Sequence, residues 1–368
     1  MPEIATVRGA RTRSLTPTGS AGLGRAIIIV ASAVFLAIVA IQGLHEAGAI
    51  GFGFDNWRPA LFAFLVWGVA LGLGQVLIRG ERGKRALFIL PAALFVAAMV
   101  IFPTIFGLYI AFTDWNLSSF SGEHFNGLDN LVALFHDAYF WNALLNMIYY
   151  VLMVLVEYAI AFGLALLLNA EIKARKFFRV AFLLPFMLSP VAVSWMVGKS
   201  MMEYRYGPMA TLMRLLGWQS PSFFTDPWIA RASIEAMDAW VSIPFIMILL
   251  LAGLQAQSKE VAEAARIDGA NSWQLFWGIT FPLMLPVSIT AVMLRIIFKL
   301  KLADIVINTT SGGPGGATDT ISSFIYREYR DRSNVGYGTM LAEFYLVIII
   351  IFVSLLLTLA SRWMRRVT

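Results

Sequence analysis

The stretch QAQSKEVAEAARIDGANSWQLFWGITF, residues 255–281, is polar and charged, and it separates two long apolar stretches, residues 229–254 and 282–302. Each apolar stretch is close to the length of about 20 residues with which a helix crosses the hydrocarbon core of a bilayer. The polar stretch is long enough to form helices of its own. We therefore expect two membrane-spanning helices that are joined by a structured loop.

The same apolar pattern recurs along the chain, in which 59% of the 368 residues are hydrophobic and 14% are charged. Such runs predict helices, because only helices and closed barrels satisfy every backbone group in lipid, and the runs lack the alternation of barrel strands. We predict an all-α integral membrane protein with about eight transmembrane helices. The predicted spans are residues 26–44, 57–78, 86–112, 141–168, 179–201, 229–254, 282–302 and 339–361.

The distribution of charge predicts the orientation of these spans. Residues 79–85, residues 173–179 and the C-terminal end carry clusters of Lys and Arg, whereas residues 113–140 carry acidic side chains and neither Lys nor Arg. Basic loops face the cytoplasm in most membrane proteins. Both termini are therefore predicted to be cytoplasmic, and the net charge of +6 gives no reason to expect a nucleic acid as partner.

The sequence lacks the residues that several kinds of functional site require. The chain has no cysteine, which excludes disulfides, thiolate metal sites and cysteine nucleophiles. The glycine-rich residues 312–316 lack the lysine and hydroxyl of a phosphate-binding loop, so ATP is not expected to bind here. The three histidines are scattered along the chain. We predict no catalytic residue, no metal site and no cofactor held by this chain.

The loop of residues 255–281 has the pattern of two short helices around a turn. Ser258 is placed to cap the first helix, and Gly269 is placed to end it in a left-handed conformation. Asn271 and Gln274 have the spacing of a capping box for the second helix. These local signals predict a turn of defined geometry.

The first of these helices has a face of small side chains. Val261, Ala264 and Ala265 lie at i, i+3 and i+4, and Glu260 and Glu263 border them. A surface of this kind allows the groove of another protein to approach closely. The loop is therefore predicted to dock a soluble partner.

The loop and the residues just after it contain a further pattern, formed by Glu263, Ala264, Ala265, Asp268, Gly269, Ala270, Phe276, Ile279, Pro282 and Pro286. This pattern resembles the EAA signature of the membrane subunits of binding-protein-dependent ABC importers, in the form typical of sugar permeases. Phe281 departs from the signature, because a leucine is usual at its position. Further matches are Ser311 to Pro314 and Tyr337 with Gly338. The resemblance extends from about residue 87 to the C-terminus and is strongest to the maltose-type first permease subunit.

The resemblance implies a six-helix type I permease core with two extra N-terminal helices. The implied domains are a cytoplasmic tail (residues 1–25), two transmembrane helices with a basic linker (residues 26–85) and the importer transmembrane domain (residues 86–368). The loop would be the coupling helix, with Glu263 and Gly269 as its principal residues. The chain itself would not be an enzyme.

The resemblance also implies a set of partners. These are a second permease subunit in a heterodimer, two ABC ATPase subunits that bind ATP and Mg, a periplasmic sugar-binding protein, a sugar substrate and membrane lipid. The chain would lie in the inner membrane of a bacterium and cross it several times.

Polar residues inside the spans are candidates for the substrate pathway, because an ionisable group at the centre of a membrane helix costs about 2.5–3.5 kcal/mol on insertion scales. A sugar site needs carboxylates, amides and aromatic faces. The candidates are Asn146, Tyr150, Glu157, Asp238, Trp240, Arg295 and Tyr345. The alternative is that Glu157 and Asp238 pair with Arg295 or Lys299 and so hold helices together. An unpaired Arg295 or Lys299 in the cavity would favour an acidic sugar.

Prolines within the spans predict irregular backbone. Pro185, Pro190 and Pro244 are expected to break or kink their helices.

Two other classes of function stay open from the residues alone. The acidic residues Asp114, Asp129 and Asp137 in one loop are compatible with a membrane-embedded enzyme that acts on lipid-linked sugars. The spans by themselves are also compatible with a secondary sugar transporter.

Overall fold

Helices form most of the computed structural model, which describes residues 18–46, 48–120, 122–170 and 172–367. In these ranges seven helices are long and apolar enough to cross a membrane, or eight if a pair bent by 94° is one span. Extended residues in the same ranges pair only in isolated bridges, between Thr113 and Phe125 and between Asn116 and Asn334. The prediction of an all-α membrane fold is confirmed.

The chain divides into two compact units, of which the first ends at Phe106 and the second begins at Gly107. The division falls within the α-helix Phe102–Ala111. The domain boundary after residue 85 stays a prediction. The first four α-helices are α1 (Thr18–Glu46), α2 (Arg58–Arg79), α3 (Glu81–Val96) and α4 (Phe102–Ala111), and the π-helical turn is Ala97–Ile101.

Helices α1 and α2 pack closely because glycines face each other. A Cβ atom on Gly24 would lie 2.8 Å from the carbonyl oxygen of Gly74, and one on Gly74 would lie 2.9 Å from that of Gly24. Small residues allow helix backbones to approach in this way within lipid. The indole of Trp67 also donates a hydrogen bond to Ser32 Oγ at 2.9 Å.

In the part of the second unit that the structure describes, twelve α-helices follow α4, and they differ widely in length. The long ones are α6 (Ala138–Asn169), α10 (Pro227–Gln255), α13 (Phe281–Lys299) and α16 (Val335–Val367). The shorter ones are α5 (Asp129–His136), α7 (Arg175–Leu183), α8 (Pro190–Val193), α9 (Pro208–Leu215), α11 (Lys259–Ile267), α12 (Ser272–Leu275), α14 (Asp304–Thr309) and α15 (Ile321–Arg330). A 3-10 turn (Leu184–Met187) and two π-helical segments (Ser194–Met201 and Phe276–Thr280) connect some of them.

The core of the second unit lies between the long helices. Phe162, Met247 and Met284 join α6, α10 and α13, and all three side chains are buried. Phe140 and Phe324 join α6 and α15 in a second cluster. Because α10 and α13 flank the loop that contains α11 and α12, this core lies directly above the loop.

The fifth predicted span, residues 179–201, is not a continuous helix. The chain bends by 94° between the segments Arg175–Met187 and Pro190–Met201. Ser189 is extended because it precedes Pro190, which disfavours the helical conformation, and its Oγ then caps the new helix at the amide of Ala192. The break predicted at Pro185 and Pro190 is thus present. Helix α10 continues through Pro244, so the chain has no break there, and a kink at this residue stays a prediction.

A glycine at the start of α16 lies against the backbone of another segment. A Cβ atom on Gly336 would lie 2.1 Å from the carbonyl oxygen of Thr113, whereas one on Gly338 would find its nearest atom at 3.5 Å. We predict that Gly336→Ala lowers the stability of the protein by about 1–3 kcal/mol, the usual cost of overpacking. The same change at Gly338 should cost much less.

The two alanine variants differ only in the space around the new methyl group. Thermal unfolding in detergent should show a lower midpoint for Gly336→Ala and a midpoint near that of the wild type for Gly338→Ala. Equal midpoints for the two variants would contradict the close approach of residue 336 to residue 113.

Candidate functional site

Five ionisable side chains meet inside the second unit, and we call them the ion network. Glu157 lies on α6, Glu235 and Asp238 lie on α10, and Arg295 and Lys299 lie on α13. All five are buried. Each helix presents its polar residues on one face, at the spacing that places them side by side after whole turns. The network therefore forms where these three faces meet.

Glu157 and Arg295 form the centre of the ion network. The guanidinium of Arg295 donates to both carboxylate oxygens of Glu157, at 2.5 and 2.9 Å, and it also donates to Asp238. The ammonium of Lys299 donates to Glu157 at 2.9 Å, to Glu235 at 2.6 Å and to Asp238 at 2.5 Å. The pairing of Glu157 and Asp238 with Arg295 and Lys299 that the sequence left open is thus what the structure shows, and Glu235 completes the network.

The ion network contains one more carboxylate than it has cations. Glu235 has the weakest attachment, because it accepts a hydrogen bond only from Lys299 and its Oε1 is buried without a partner. Oxygens of the three carboxylates lie within 4.8 Å of one another, a spacing that a metal ion could occupy. The Nζ atom of Lys299 bonds to all three, so its ammonium group takes the position that a metal ion would need.

A second polar layer adjoins the ion network and ties α6 to the loop of residues 316–319. The amide of Asn146 donates to the carbonyl oxygens of Gly316 and Asp319 at 2.9 and 3.0 Å. The Nε–H group of Arg231 is shared between Asn146 Oδ1, at 3.0 Å, and the carbonyl oxygen of Ala317, at 2.7 Å. The hydroxyl of Tyr150 donates to the carbonyl oxygen of Thr318 at 3.4 Å.

Two further candidates for the pathway lie apart from these groups. Tyr345 is buried, and its hydroxyl donates to the carbonyl oxygen of Leu300 at 2.8 Å. Trp240 is 42% exposed and presents an aromatic face at the surface of the second unit. Among the seven candidates, Trp240 is therefore the one whose side chain is open to a molecule outside the chain.

Arg231 and Asp319 are not among the site residues predicted from the sequence. Arg231, Glu235 and Asp238 follow one another at i, i+4 and i+7, and this spacing was a usable signal for Arg231. Asp319 has no such signal, because it lies in a loop. Its buried carboxylate pairs with Arg327 and accepts a hydrogen bond from Ser323 Oγ at 3.0 Å, and burial raises the pKa of Asp319 to about 6 against the opposing effect of Arg327.

The acidic residues of the loop before α6 do not form a cluster of catalytic type. Asp114 accepts a hydrogen bond from the amide of His124 at 2.7 Å. Asp137 caps α6 at the amide of Tyr139 and also accepts from the hydroxyl of Tyr337 at 2.7 Å. Asp129 begins α5. These carboxylates stabilise turns and helix ends.

The turn between α11 and α12 has the geometry that its sequence predicts. Gly269 has a φ of +90°, and its amide donates to Arg266 while the amide of Ala270 donates to Ala265, which is the pattern of a Schellman motif. Asn271 and Gln274 form the predicted capping box, with both hydrogen bonds at 2.9 Å. The predicted cap at Ser258 is wrong in one respect. Ser258 occupies the N-cap position, but its side chain makes no capping hydrogen bond.

Helix α11 has no buried residue in this chain. Ile267 is 86% exposed, and Val261 and Trp273 are also exposed. Among the predicted coupling residues, Glu263, Ala264, Asp268 and Gly269 are exposed, and Ala265 and Ala270 are half-buried. A helix of nine residues is marginal in water by itself. Apolar exposure on so short a helix favours the docking role that the sequence predicts, and this role stays a prediction.

The fold and these features define a class of multi-pass α-helical membrane proteins that have an internal ion network and an exposed helical loop at residues 255–281. The model of the family described as "binding-protein-dependent transport system inner membrane component" matches residues 131–368. The chain belongs to this family, and the family predicted from the loop motif is confirmed.

Two relatives illustrate the similarity. The chain is 32% identical over 267 residues to the trehalose/maltose transport system permease protein MalF of Thermococcus litoralis, covering 72% of this chain and 90% of the relative. It is 31% identical over 265 residues to the sulfoquinovosyl glycerol transport system permease protein SmoG of Agrobacterium fabrum, covering 72% of this chain and 85% of the relative.

Solved structures show the same fold. A bacterial ABC transporter involved in the import of the acidic polysaccharide alginate matches with a TM-score of 0.62 and 22% identity, covering 76% of this chain and 95% of that chain. A bacterial alginate ABC transporter in complex with an alginate pentasaccharide-bound periplasmic protein matches with a TM-score of 0.65 and 23% identity, covering 78% and 96%.

The charge count of the ion network leads to a testable ranking of its carboxylates. Glu157→Gln removes a carboxylate whose two oxygens both accept hydrogen bonds from the cations, so it should destabilise the protein by about 3–5 kcal/mol, the cost of breaking a buried ion pair. Glu235→Gln removes the surplus carboxylate and leaves two carboxylates for two cations. This variant should cost far less.

Both changes preserve side-chain shape, so each serves as the control for the other. The measurement is the thermal midpoint of the purified protein in detergent, together with the amount of protein found in the membrane. If Glu235→Gln lowers the midpoint as much as Glu157→Gln does, the surplus of one carboxylate is not what distinguishes the two residues.

Proposed function

We propose that the chain is the transmembrane permease subunit of an ATP-driven importer that moves a sugar or sugar derivative from the periplasm to the cytoplasm. The observation that carries this proposal is the exposed loop of residues 255–281, which we call the docking loop and which is continuous with α10 on one side and α13 on the other. Family membership supports import dependent on a binding protein. The names of the two relatives, one for trehalose and maltose and one for sulfoquinovosyl glycerol, support a sugar as substrate.

In this proposal α11 enters a cleft in an ABC ATPase subunit. The partner ATPases bind ATP and Mg, and their closure moves the loop. The Schellman motif at Gly269 and the capping box at Asn271 hold α11 and α12 at a fixed angle. Motion of α11 is therefore passed on to α10 and α13 as a displacement of whole helices and is not absorbed by a flexible link.

The proposed assembly contains a second permease subunit, two ATPase subunits and a periplasmic sugar-binding protein. The chain lies in the bacterial inner membrane with both termini in the cytoplasm. The docking loop is on the cytoplasmic side, and α14 and α15, which follow the opposite end of α13, are on the periplasmic side. The basic clusters at residues 79–85 and 173–179 support this orientation.

The seven candidate residues border the substrate pathway in two different ways. Trp240 presents its exposed aromatic ring to the sugar. The other six hold the wall of the pathway in place from behind, because their polar groups are bonded within the chain. These six are Asn146, Tyr150, Glu157, Asp238, Arg295 and Tyr345. Since Arg295 and Lys299 are both paired, they supply no free positive charge for an acidic sugar.

The left-handed turn of the docking loop provides the test of this proposal. Gly269→Val should strain the turn, because a left-handed conformation costs an L-residue about 1–2 kcal/mol and a β-branched side chain fits it least. Co-purification of the ATPase and uptake of sugar should fall to background, whereas binding of sugar by the periplasmic protein should not change.

Gly278→Val is the matched control. Gly278 lies in the same loop, its φ is not positive, and no atom lies within 4 Å of a Cβ atom built on it. This variant should retain ATPase binding and most of the uptake. Wild-type uptake by Gly269→Val would contradict the role of the loop, and uptake driven by a proton gradient without ATP would contradict the importer.

The absence of cysteine allows a direct test of the orientation. Ser118, Ser220 and Ser272 are exposed, and each can be replaced by a single cysteine. In intact cells with a permeable outer membrane, a membrane-impermeant maleimide should label Ser118→Cys and Ser220→Cys. Ser272→Cys should react only after the inner membrane is opened. Labelling of Ser272→Cys in intact cells would reverse the proposed orientation.

A further inference from the structure

A polar cavity lies at the end of the second unit that is opposite the docking loop, and we call it the outer pocket. It has a volume of about 290 Å³ and lies between the π-helical segment Ser194–Met201, α14 and α15. The side chains that matter are Trp195, Lys199, Asn308, Tyr326, Arg327 and Arg330. The volume is close to the lower limit of about 300 Å³ for ligand pockets, so one sugar ring fits and a long chain does not.

Two walls of the outer pocket repeat one arrangement. Trp195 and Lys199 are four residues apart on the π-helical segment, and Tyr326 and Arg330 are four residues apart on α15. Each wall therefore presents an aromatic ring and a cation about one helical turn apart. Trp195 is 58% exposed, so its ring face is free for contact.

The outer pocket has an excess of positive charge. Lys199 and Arg330 have no carboxylate within ion-pair distance among the residues that the structure describes. Arg330 donates to the hydroxyl of Tyr326 at 2.5 Å. Arg327 pairs with Asp319, which leaves Asp331 as the one carboxylate of the lining. This excess distinguishes the outer pocket from the ion network, where acids outnumber cations.

Polar groups of the outer pocket also suit hydroxyl groups. Asn308 uses its Nδ2 for the carbonyl oxygen of Asp304, at 2.8 Å, so its Oδ1 can accept a bond from a ligand. The hydroxyl of Ser311 lies in the same lining. The Nε atom of Arg327 is buried without a hydrogen-bond partner.

We infer that the outer pocket binds one ring of an acidic saccharide, with its carboxylate or sulfonate between Lys199 and Arg330 and its C–H face against Trp195. The guanidinium of Arg330 can donate two parallel hydrogen bonds to such an anion. The ring of Trp195 can pack on the apolar face of a pyranose, whereas the ring of Tyr326 holds the guanidinium of Arg330, whose Cζ atom lies 5.5 Å from the ring centroid. This inference rests on the proposed function, and it names the class of sugar that the permease admits.

The test measures binding to the full-length chain in nanodiscs of zwitterionic lipid. The probes are methyl β-D-glucuronide and its neutral counterpart, methyl β-D-glucopyranoside, titrated by saturation-transfer NMR. The wild type should prefer the glucuronide. Lys199→Gln with Arg330→Gln should weaken glucuronide binding by about tenfold or more, since charge-assisted hydrogen bonds are lost, and should leave the glucoside nearly unchanged.

Two further variants sharpen the result. Lys301→Gln removes an exposed cation between α13 and α14, outside the lining of the outer pocket, and should bind the glucuronide like the wild type. Trp195→Ala should weaken the binding of both probes. Thermal midpoints near that of the wild type should accompany all of these changes, because the side chains of Lys199, Arg330, Lys301 and Trp195 are exposed.

Several results would overturn the inference. The wild type could bind the two probes equally well, or the double variant could retain its affinity for the glucuronide. Inorganic phosphate or phosphatidylglycerol could also compete for the outer pocket as strongly as the glucuronide does. The binding assay needs no ATPase, so its result does not depend on whether the transporter assembles or takes up sugar. Assembly and uptake, measured separately on the wild-type complex, decide the proposed function without deciding the sugar class.

Discussion

The ion network determines how three membrane helices of the second unit fit together. Removing charges from water costs several kcal/mol for each ion, and attraction in a low-dielectric interior repays this only where the geometry is good. Glu157 meets this condition, because both of its oxygens accept hydrogen bonds from Arg295 or Lys299. A rotation or a shift of any of the three helices by one residue would separate these atoms. The network therefore fixes both the register and the rotation of α6, α10 and α13.

This constraint also determines how the helices can move. If α10 moved away from α13, Asp238 would leave Arg295 and Lys299, and the charges would remain buried without partners. Each broken pair costs about 3–5 kcal/mol of free energy. Movement of the three helices as one body therefore requires less free energy than their separation. Asn146 and Arg231 attach the loop of residues 316–319 to the same body. A displacement of the docking loop would thus move the opposite end of the bundle with little loss of amplitude.

Local signals in the sequence predict the helices and the docking turn well. The reason is that the left-handed backbone of Gly269 and the capping box of Asn271 involve only residues close to them in the sequence. The bend at Ser189 could also be predicted from Pro190, although its angle could not, because the angle depends on packing against other helices. Ser258 occupies the N-cap position without a side-chain hydrogen bond, which shows that a favourable residue type does not ensure the capping hydrogen bond.

The choice of partners within the bundle is beyond the reach of local patterns. The sequence identifies Glu157, Asp238, Arg295 and Lys299 as costly residues that need partners. Which acid meets which cation depends on the angle and height at which separate helices cross. The spacing of Arg231, Glu235 and Asp238 was available as a sign of one polar face. Asp319 lies in an irregular loop, and only the folded chain brings it to Arg327.

A division between paired and unpaired charges follows from these positions. Charges that hold helices together must stay paired throughout a transport cycle, so they are poorly suited to recognise a substrate that comes and goes. Charges that recognise a substrate must be free before it arrives, and free charges are tolerated only where water reaches them. Arg295 and Lys299 satisfy the first condition, and Lys199 and Arg330 satisfy the second. In the proposed importer, the selectivity for charge is therefore expected at the outer end of the bundle, and the buried ions are expected to transmit the motion of the docking loop.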